Sequence, residues 1–424
     1  MPSGKLYHKD YYIINSNILE IIRQYLPVKD TEKKLYGEVF TPVELISEML
    51  DQLPEEVWSN PNLQWLDPAN GIGNFPVVAY YRLMEGLQRV IPEKQQRSKH
   101  IIGKMLYMVE LNPVNCKVCK RIFNMIDKTV EPNIIQADFL EWKAPNKFDI
   151  IMGNPPYQTN LKKLGKKSTS IWEFFFHNSL EILNVDKYLL FIHPCSWREP
   201  QGIRKPIFDK IMERDLVYLF ICSYIDIKKY FKNVATNFDY YLLKNSITNK
   251  NITLVNDIDD NEYKINLNNY PFIPSGKFEI FDKLIIEEET DIIVWNKNIY
   301  HIQSKHMSKT KSQDFKFPCV YTIGKSNGIK LRYSSIDKGM FGIPKVIWSN
   351  GAPPYVILDL EGEYGLTEFA YAILDDPEVL PSIKKAMESE KFVNLMKYCV
   401  FAQNHKYNWK VIKTFKKDFW KEFI

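Results

Sequence analysis

Long hydrophobic runs are missing from this chain. None of its 424 residues lies in an apolar stretch of about 18 or more, the length a helix needs to cross a bilayer. Met1–Asp10 also lacks the charged-then-apolar pattern of a secretory signal. A cytoplasmic protein with no membrane attachment is therefore expected. Cysteine is scarce: six residues do not make a disulfide scaffold. Cys116 and Cys119 form a lone C-x-x-C, and no second Cys or His pair follows at zinc-ribbon spacing, so no metal is expected. Their spacing puts both thiols on one face of a helix expected over 113–126. Neither charge sign dominates. A net charge of +5 permits nucleic-acid binding without requiring it.

What is present suits a globular protein. Hydrophobic content of 45% supports a sizeable core, and the length suits two domains. The most informative stretch is Gly153-Asn154-Pro155-Pro156-Tyr157, which follows an apolar run over 148–152 that reads as a buried strand. Two prolines fix φ and remove backbone donors, which leaves local carbonyls free to face a ligand. Asn154 adds a side-chain acceptor and Tyr157 a flat aromatic face. Two acceptors beside a π-surface suit a planar exocyclic amino group. A plain proline turn is the bland alternative.

The flanking chain carries further signals. Residues 1–36 read as a helical arm closed by Pro27. Thr41 then reads as an N-cap, with Pro42 at the first helical position and Glu44 completing a capping box. Trp65–Phe75 reads as strand, glycine turn and helix, with Gly71 and Gly73 allowing close backbone approach to a ligand. Glu110 ends a second expected strand, over 105–109. It lies 43 residues beyond Asp67, which implies a surface insertion at 88–100. An acidic residue at that strand end suits ribose hydroxyls. Asp138 ends a third strand, where an Asp in a tight turn is the alternative. Helices are expected at 171–183 and 207–217, and strands at 188–194 and 237–243. Lys162, Lys163, Lys166 and Lys167 are either a solvated surface or a phosphate clamp.

The order of these signals resembles that of the S-adenosylmethionine-dependent amino-methyltransferases of DNA, in the gamma class. Asn-Pro-Pro-Tyr is the form typical of adenine-N6 enzymes. The resemblance covers roughly the first 245 residues. It implies an α/β fold: a Rossmann-like methyltransferase domain over 37–245, after the arm at 1–36, then a mixed α/β target-recognition domain over 246–424. It assigns Asn154, Pro155, Pro156 and Tyr157 to catalysis. It assigns Thr41, Pro42, Asp67, Gly71, Gly73, Asn74, Phe75, Glu110, Asp138, Phe139 and Phe175 to the cofactor. Phe231 becomes the candidate for a second face on the target base, opposite Tyr157, although a core phenylalanine is an equal reading. Asn70 departs from the family, which commonly has Cys or Ala there, and Ile72 stands where a small residue is usual.

Implied by the same resemblance are S-adenosylmethionine as cofactor, double-stranded DNA as partner and a bacterial or viral source. A restriction endonuclease, if there is one, would be a separate protein, since 1–36 is too short to hold a nuclease. RNA adenine-N6 and protein glutamine-N5 methylation are the rival reactions. The glutamine enzymes carry their extra domain before the catalytic one. Beyond 246, strands are expected through 320–348 and helices at 367–374 and 382–398. The tail at 405–421 interleaves aromatics with lysines, which suits either nucleic acid or an amphipathic helix on the core.

Overall fold

In the computed structural model the described residues are 14–25, 40–159, 169–200, 204–231, 237–248, 252–285, 293–295, 300–324, 328–349, 355–401 and 408–424. The chain divides into two units, Met1–Asn268 and Asn269–Ile424.

The first unit is built on one nine-stranded sheet. In chain order its elements are α1 (Ser16–Tyr25), α2 (Val43–Leu50), β1 (Trp65–Asp67), α3 (Asn74–Gly86), α4 (Lys94–His100), β2 (Leu106–Glu110), α5 (Pro113–Ile126), β3 (Asn133–Gln136), β4 (Phe148–Gly153), α6 (Trp172–Ile182), β5 (Leu183–Pro194), α7 (Lys205–Met212), β6 (Arg214–Ile221), α8 (Tyr224–Tyr230), β7 (Phe238–Ile247), β8 (Ile252–Asn256) and β9 (Glu262–Asn266). The strand order is β9-β8-β6-β7-β5-β4-β1-β2-β3. β1 pairs in parallel with β2 and β4, β4 in parallel with β5, and β7 antiparallel to both β5 and β6. Central strands are apolar on both faces, as a helix-covered sheet requires; Trp65, Leu66, Ile150 and Ile151 are all fully buried. Helices cover them with amphipathic faces. α5 begins with Asn112, whose side chain accepts from the Val114 N–H, and turns Val118, Cys119, Ile122 and Phe123 inward. α1 is part of this core through Ile18, Leu19 and Ile22.

Several local features differ from expectation. Thr41 does not cap α2, which starts at Val43 after Pro42 and has no side-chain cap bond. The insertion is folded: Glu93 caps α4 through the Gln95 and Gln96 N–H groups, and buried Arg97 donates to the Ile91 and Pro92 carbonyls. A π-helical turn at Ile101–Met105 follows, so β2 begins at Leu106. α7 ends at Met212, because the β-prone run Leu216–Ile221 belongs to β6. Finally, β8 pairs in parallel with β6 and antiparallel with β9, so the sheet continues past residue 245 and the units divide after Asn268.

The second unit holds α9 (Phe278–Leu284), β10 (Ile293–Trp295), β11 (Met307–Ser308), β12 (Phe317–Gly324), β13 (Gly328–Ser334), β14 (Lys345–Ser349), β15 (Ile357–Asp359), β16 (Gly365–Leu366), β17 (Ala370–Leu374), α10 (Leu380–Glu388), α11 (Glu390–Met396) and α12 (Trp409–Ile412). Its sheets run β10-β17-β14-β15 and β11-β13-β12-β16. The helix expected at 367–374 is instead strand β17, because a short all-apolar run has no periodicity to separate the two. Ser389 splits the expected 382–398 helix and caps α11 through the Phe392 N–H. The aromatics of the tail pack inward: Phe415 and Phe419 are fully buried and Trp409 stacks on Tyr371 at 6.0 Å. Lys416, Lys417 and Lys421 pair with Glu422, Asp375 and Asp418. Packing on the core is thus the reading that holds for this tail. No described helix is long and apolar enough to cross a membrane.

Lys345 is fully buried in this unit. Its ammonium donates to Asp359 at 2.7 Å and to the Met340 and Ile343 carbonyls at 2.8 and 3.0 Å. Replacing it strands a buried carboxylate. Lys345→Met is expected to lose about 3–5 kcal/mol in denaturant unfolding; a loss under about 1 kcal/mol would contradict this account of the pair.

Candidate active site

Chain order leaves β1 in opposite directions, with β2 and β3 on one side and β4 on the other. In open α/β sheets, the crevice beyond the carboxyl ends of the strands at such a reversal receives the ligand. The glycine turn after β1 and the Asn-Pro-Pro-Tyr turn after β4 both emerge there. A cavity of about 300 Å³ between Leu63, Ile150, Tyr188 and Lys244 lies instead toward the amino ends of β1, β4 and β5.

Asp67 closes β1 and is buried, with Oδ1 accepting the Ala69 N–H at 3.1 Å. A Cβ on Gly153 would stand 2.8 Å from that oxygen, so glycine at 153 lets the ends of β1 and β4 meet. Burial pushes the Asp67 carboxyl well above the usual carboxylate range; the Ala69 N–H opposes this and the Glu110 charge adds to it.

The glycine turn is packed by the protein's own side chains. Gly73, with φ +101°, precedes α3, and a Cβ there would sit 2.8 Å from Cys119 Sγ. A Cβ on Gly71 would sit 2.8 Å from the Phe40 ring. Asn70, the departure from the family pattern, donates through Nδ2 to Cys119 Sγ at 3.3 Å. Cys119 therefore packs the turn, and burial pushes its thiol up. No cluster of metal-ligating residues occurs among the described residues. Phe75 is buried at the start of α3.

Glu110 uses both carboxylate oxygens. Oε2 accepts the Gly71 N–H at 2.6 Å and Oε1 the Asn112 N–H at 2.7 Å. It thereby ties the end of β2 to the glycine turn, and lone pairs remain for further donors. Asp138 makes the tight turn weighed as its alternative, since Oδ1 accepts the Leu140 N–H at 2.9 Å. Phe139 and Phe175 are brought together, stacked at 5.2 Å with 25° between their planes, and both are buried.

Thr41, only 4% exposed, joins the two halves of the crevice. Its carbonyl accepts from Asn74 Nδ2 at 2.9 Å, and its Oγ1 accepts from Asn154 Nδ2 at 3.2 Å. Pro42 stands beside it, half-buried, and opens α2. That bond ties the Asn154 side chain to Thr41, just ahead of α2. Sequence reasoning missed this link because Thr41 and Asn154 are 113 residues apart.

The Tyr157 carbonyl accepts the Ile171 N–H at 3.2 Å, which anchors the turn to α6. Burial pushes the Tyr157 phenol up, and Cys222, Asp239 and Cys195 add to the effect. Asp239 is fully buried; Oδ2 accepts from Arg198 Nε at 2.7 Å and Trp197 Nε1 at 3.1 Å. That network was also illegible in the sequence, where nothing pairs 197–198 with 239. His193 stacks on Trp172 at 4.4 Å, and burial lowers its pKa to about 3, so it stays neutral. The Cys195 thiol is pushed up to about 12, chiefly by burial. Phe231 takes the core role: it is buried and meets Phe238 edge-on at 5.2 Å. Lys162, Lys163, Lys166 and Lys167 lie outside the described residues.

Gly73→Ala forces a positive-φ backbone and a clash with a buried thiol together. It is expected to cost about 1–3 kcal/mol in denaturant unfolding; an unchanged midpoint would contradict the packing described.

The family described as the Eco57I restriction-modification methylase matches residues 92–230. An "uncharacterized adenine-specific methylase" of Mycoplasma pneumoniae is 26% identical over 298 residues, covering 52% of this chain and 69% of that protein. The Type II methyltransferase M.VspI of a Vibrio species is 26% identical over 179 residues, covering 39% of this chain but only 38% of its own length. Among solved structures, the Type IIL restriction-modification enzyme MmeI in complex with DNA is similar with a TM-score of 0.53. At 12% identity over 94% of this chain and 70% of that one, this likeness shows the fold alone. The stretch that matches the Eco57I restriction-modification methylase family, residues 92–230, is about a third of the chain and holds β2, β3, β4 and the Asn-Pro-Pro-Tyr turn.

Proposed function

We propose that the chain is a site-specific DNA adenine-N6 methyltransferase, the modification enzyme of a restriction-modification system. The observation that carries this is the Asn154 amide, held at the carboxyl end of β4 by the bond from its Nδ2 to Thr41 Oγ1 and so set between the glycine turn and Tyr157. The adenine-specific relative and the DNA-bound neighbour support adenine in DNA as the substrate.

S-adenosylmethionine fits the crevice. Its ammonium and ribose hydroxyls are donors, and the side-chain oxygens of Asn70 and Asn74 are buried there without a hydrogen-bond partner. Glu110 would hold the ribose, Asp138 the adenine amino group, and the Phe139–Phe175 pair would border that ring. Asp67, Gly71, Gly73, Asn74, Phe75, Thr41 and Pro42 would shape the methionine end. When bound, the cofactor supplies an electrophilic methyl group.

Asn154 and its neighbours do the rest. An adenine within a duplex is unreachable, so it must be turned out of the stack and laid on Tyr157. Asn154 Oδ1 and the Pro155 carbonyl accept the two N6 hydrogens. This holds the nitrogen lone pair out of the ring's conjugation and aims it along one line. Once N6 has gained its new bond it is positively charged, the same two acceptors stabilise that charge, and water removes the surplus proton. No side-chain base is needed, and the neutral His193 and raised Cys195 are consistent with that. Positioning and preorganised acceptors supply the acceleration.

Labelled methyl transfer from S-adenosylmethionine to duplex DNA, single-stranded RNA and release-factor protein, run in parallel, tests the proposal. Label is expected in duplex DNA as N6-methyladenine, and Asn154→Ala is expected to reduce it by about 10³-fold or more with cofactor binding retained. Label in RNA or protein alone, or an active Asn154→Ala, would overturn it. A finer expectation concerns Thr41. Thr41→Val removes the bond from the Asn154 amide to Thr41 Oγ1 and should slow single-turnover transfer by about 10- to 100-fold, while Thr41→Ser stays within about threefold of wild type. Equal rates for Val and Ser would show that the hydroxyl does not orient the amide.

A further inference from the structure

The positive charge of this chain is concentrated in one short segment. Between Tyr300 and Met340 there are eight Lys or Arg, two Asp and no Glu, an excess of six against +5 for the whole molecule. Everything outside that segment is close to neutral. These residues supply three of the four strands of the sheet β11-β13-β12-β16. In it, Val320 pairs with Leu331 and Thr322 with Lys330. Directly paired residues share a face. Val320 and Leu331 pack into the small core with Ile323, Ile329 and Leu366. Thr322 and Lys330 therefore face the other way, and so does Arg332, two residues from Lys330; the register partner of Arg332, Cys319, is buried, as is Ser334 beyond it, so this face is open only from Arg332 toward Lys330 and Thr322.

That outer face is braced as well as charged. The Arg332 guanidinium lies 4.2 Å above the Tyr321 ring, which in turn meets Phe369 edge-on at 5.3 Å. Stacking of this kind preorganises the planar fork of an arginine. Lys305, Lys309, Lys311, Lys316, Lys330 and Lys338 are exposed. Among the described residues no ion pair involves any of them. The tail of the chain gives the contrast. It has a similar mixture of lysines and aromatics, but Phe415 and Phe419 are buried, and Lys416, Lys417 and Lys421 are paired with acids. Unpaired like charges gathered on one face repel one another, and a polyanion relieves that repulsion with release of its counterions. A two-stranded antiparallel ribbon is also of a size that the major groove of duplex DNA admits.

We propose that the β12–β13 ribbon is the DNA-reading element, with the face that bears Thr322, Lys330 and Arg332 in the major groove. Arg332 reads a base edge there, and the surrounding lysines hold phosphates. This rests on the DNA methyltransferase function proposed above and names the surface that selects the site.

The test uses the full chain. Mapping of N6-methyladenine in DNA treated with wild type defines the target, and binding to duplexes carrying it is measured against salt. The triple variant Lys309→Ala, Lys311→Ala, Lys316→Ala should weaken binding to every sequence alike and reduce the slope of log affinity against log salt by about three. Arg332→Ala should instead leave non-specific affinity within about threefold and relax discrimination at one base pair by about 5- to 150-fold. Arg332→Gln and the thermal transition of each variant check folding; all of the replaced side chains are at least partly exposed. A wild type that methylates DNA while the folded variants keep both slope and discrimination would overturn the ribbon assignment alone. A wild type that transfers no methyl to DNA, or prefers RNA, would overturn it together with the function on which it rests.

Discussion

Thr41 is the point at which the two halves of the crevice are held in register. Its carbonyl takes the Asn74 amide from the glycine turn, and its hydroxyl takes the Asn154 amide from the turn after β4. The residue can do both because it leads into a firmly packed helix: α2 buries Val43, Leu45, Ile46 and Met49 in the core. Each bond contributes only about 1 kcal/mol to stability. What they fix is orientation, and in the proposed chemistry the direction of one carbonyl oxygen matters more than any proton transfer. A helix start thus serves as a joint between the loop assigned to the cofactor and the loop assigned to the base.

Around that joint three ionisable groups are held away from ordinary acid–base behaviour. Asp67 is raised by burial, His193 is kept neutral, and Cys195 is kept as a thiol. The hydrogen bonds that remain are structural ties: Glu110 to Gly71 and Asn112, and Asp239 to Arg198 and Trp197. This arrangement suits a reaction that depends on placing a weak nucleophile and not on a titrating base. The second unit is built on another principle, with a fully buried ion pair inside and a set of exposed lysines at 305–338 outside.

Much of the crevice was legible in the sequence because its signals are contiguous. A strand, its carboxyl-terminal turn and the residues in that turn lie within a few positions of one another, as in Trp65–Phe75 or Phe148–Tyr157. Contacts between distant positions were not legible. Thr41 reads locally as a helix cap, and only folding shows its hydroxyl turned to Asn154. Gly71 and Gly73 read as ligand clearance, yet a side chain at either would first meet Phe40 or Cys119. Ala370–Leu374 was read as helix because a five-residue apolar run has no distinguishing period. The change at 245 was one of composition, whereas β8 and β9 continue the same sheet to Asn266. Net charge, +5 over the chain, likewise hid its concentration in residues 300–340.

The most direct test of the account is a structure of the protein bound to duplex DNA containing its target adenine, with S-adenosylmethionine or its demethylated product present. The account predicts that adenine out of the helical stack, its ring on Tyr157 and its N6 about 3 Å from both Asn154 Oδ1 and the Pro155 carbonyl. An adenine still stacked in the duplex, or one whose N6 faces other residues, would contradict it.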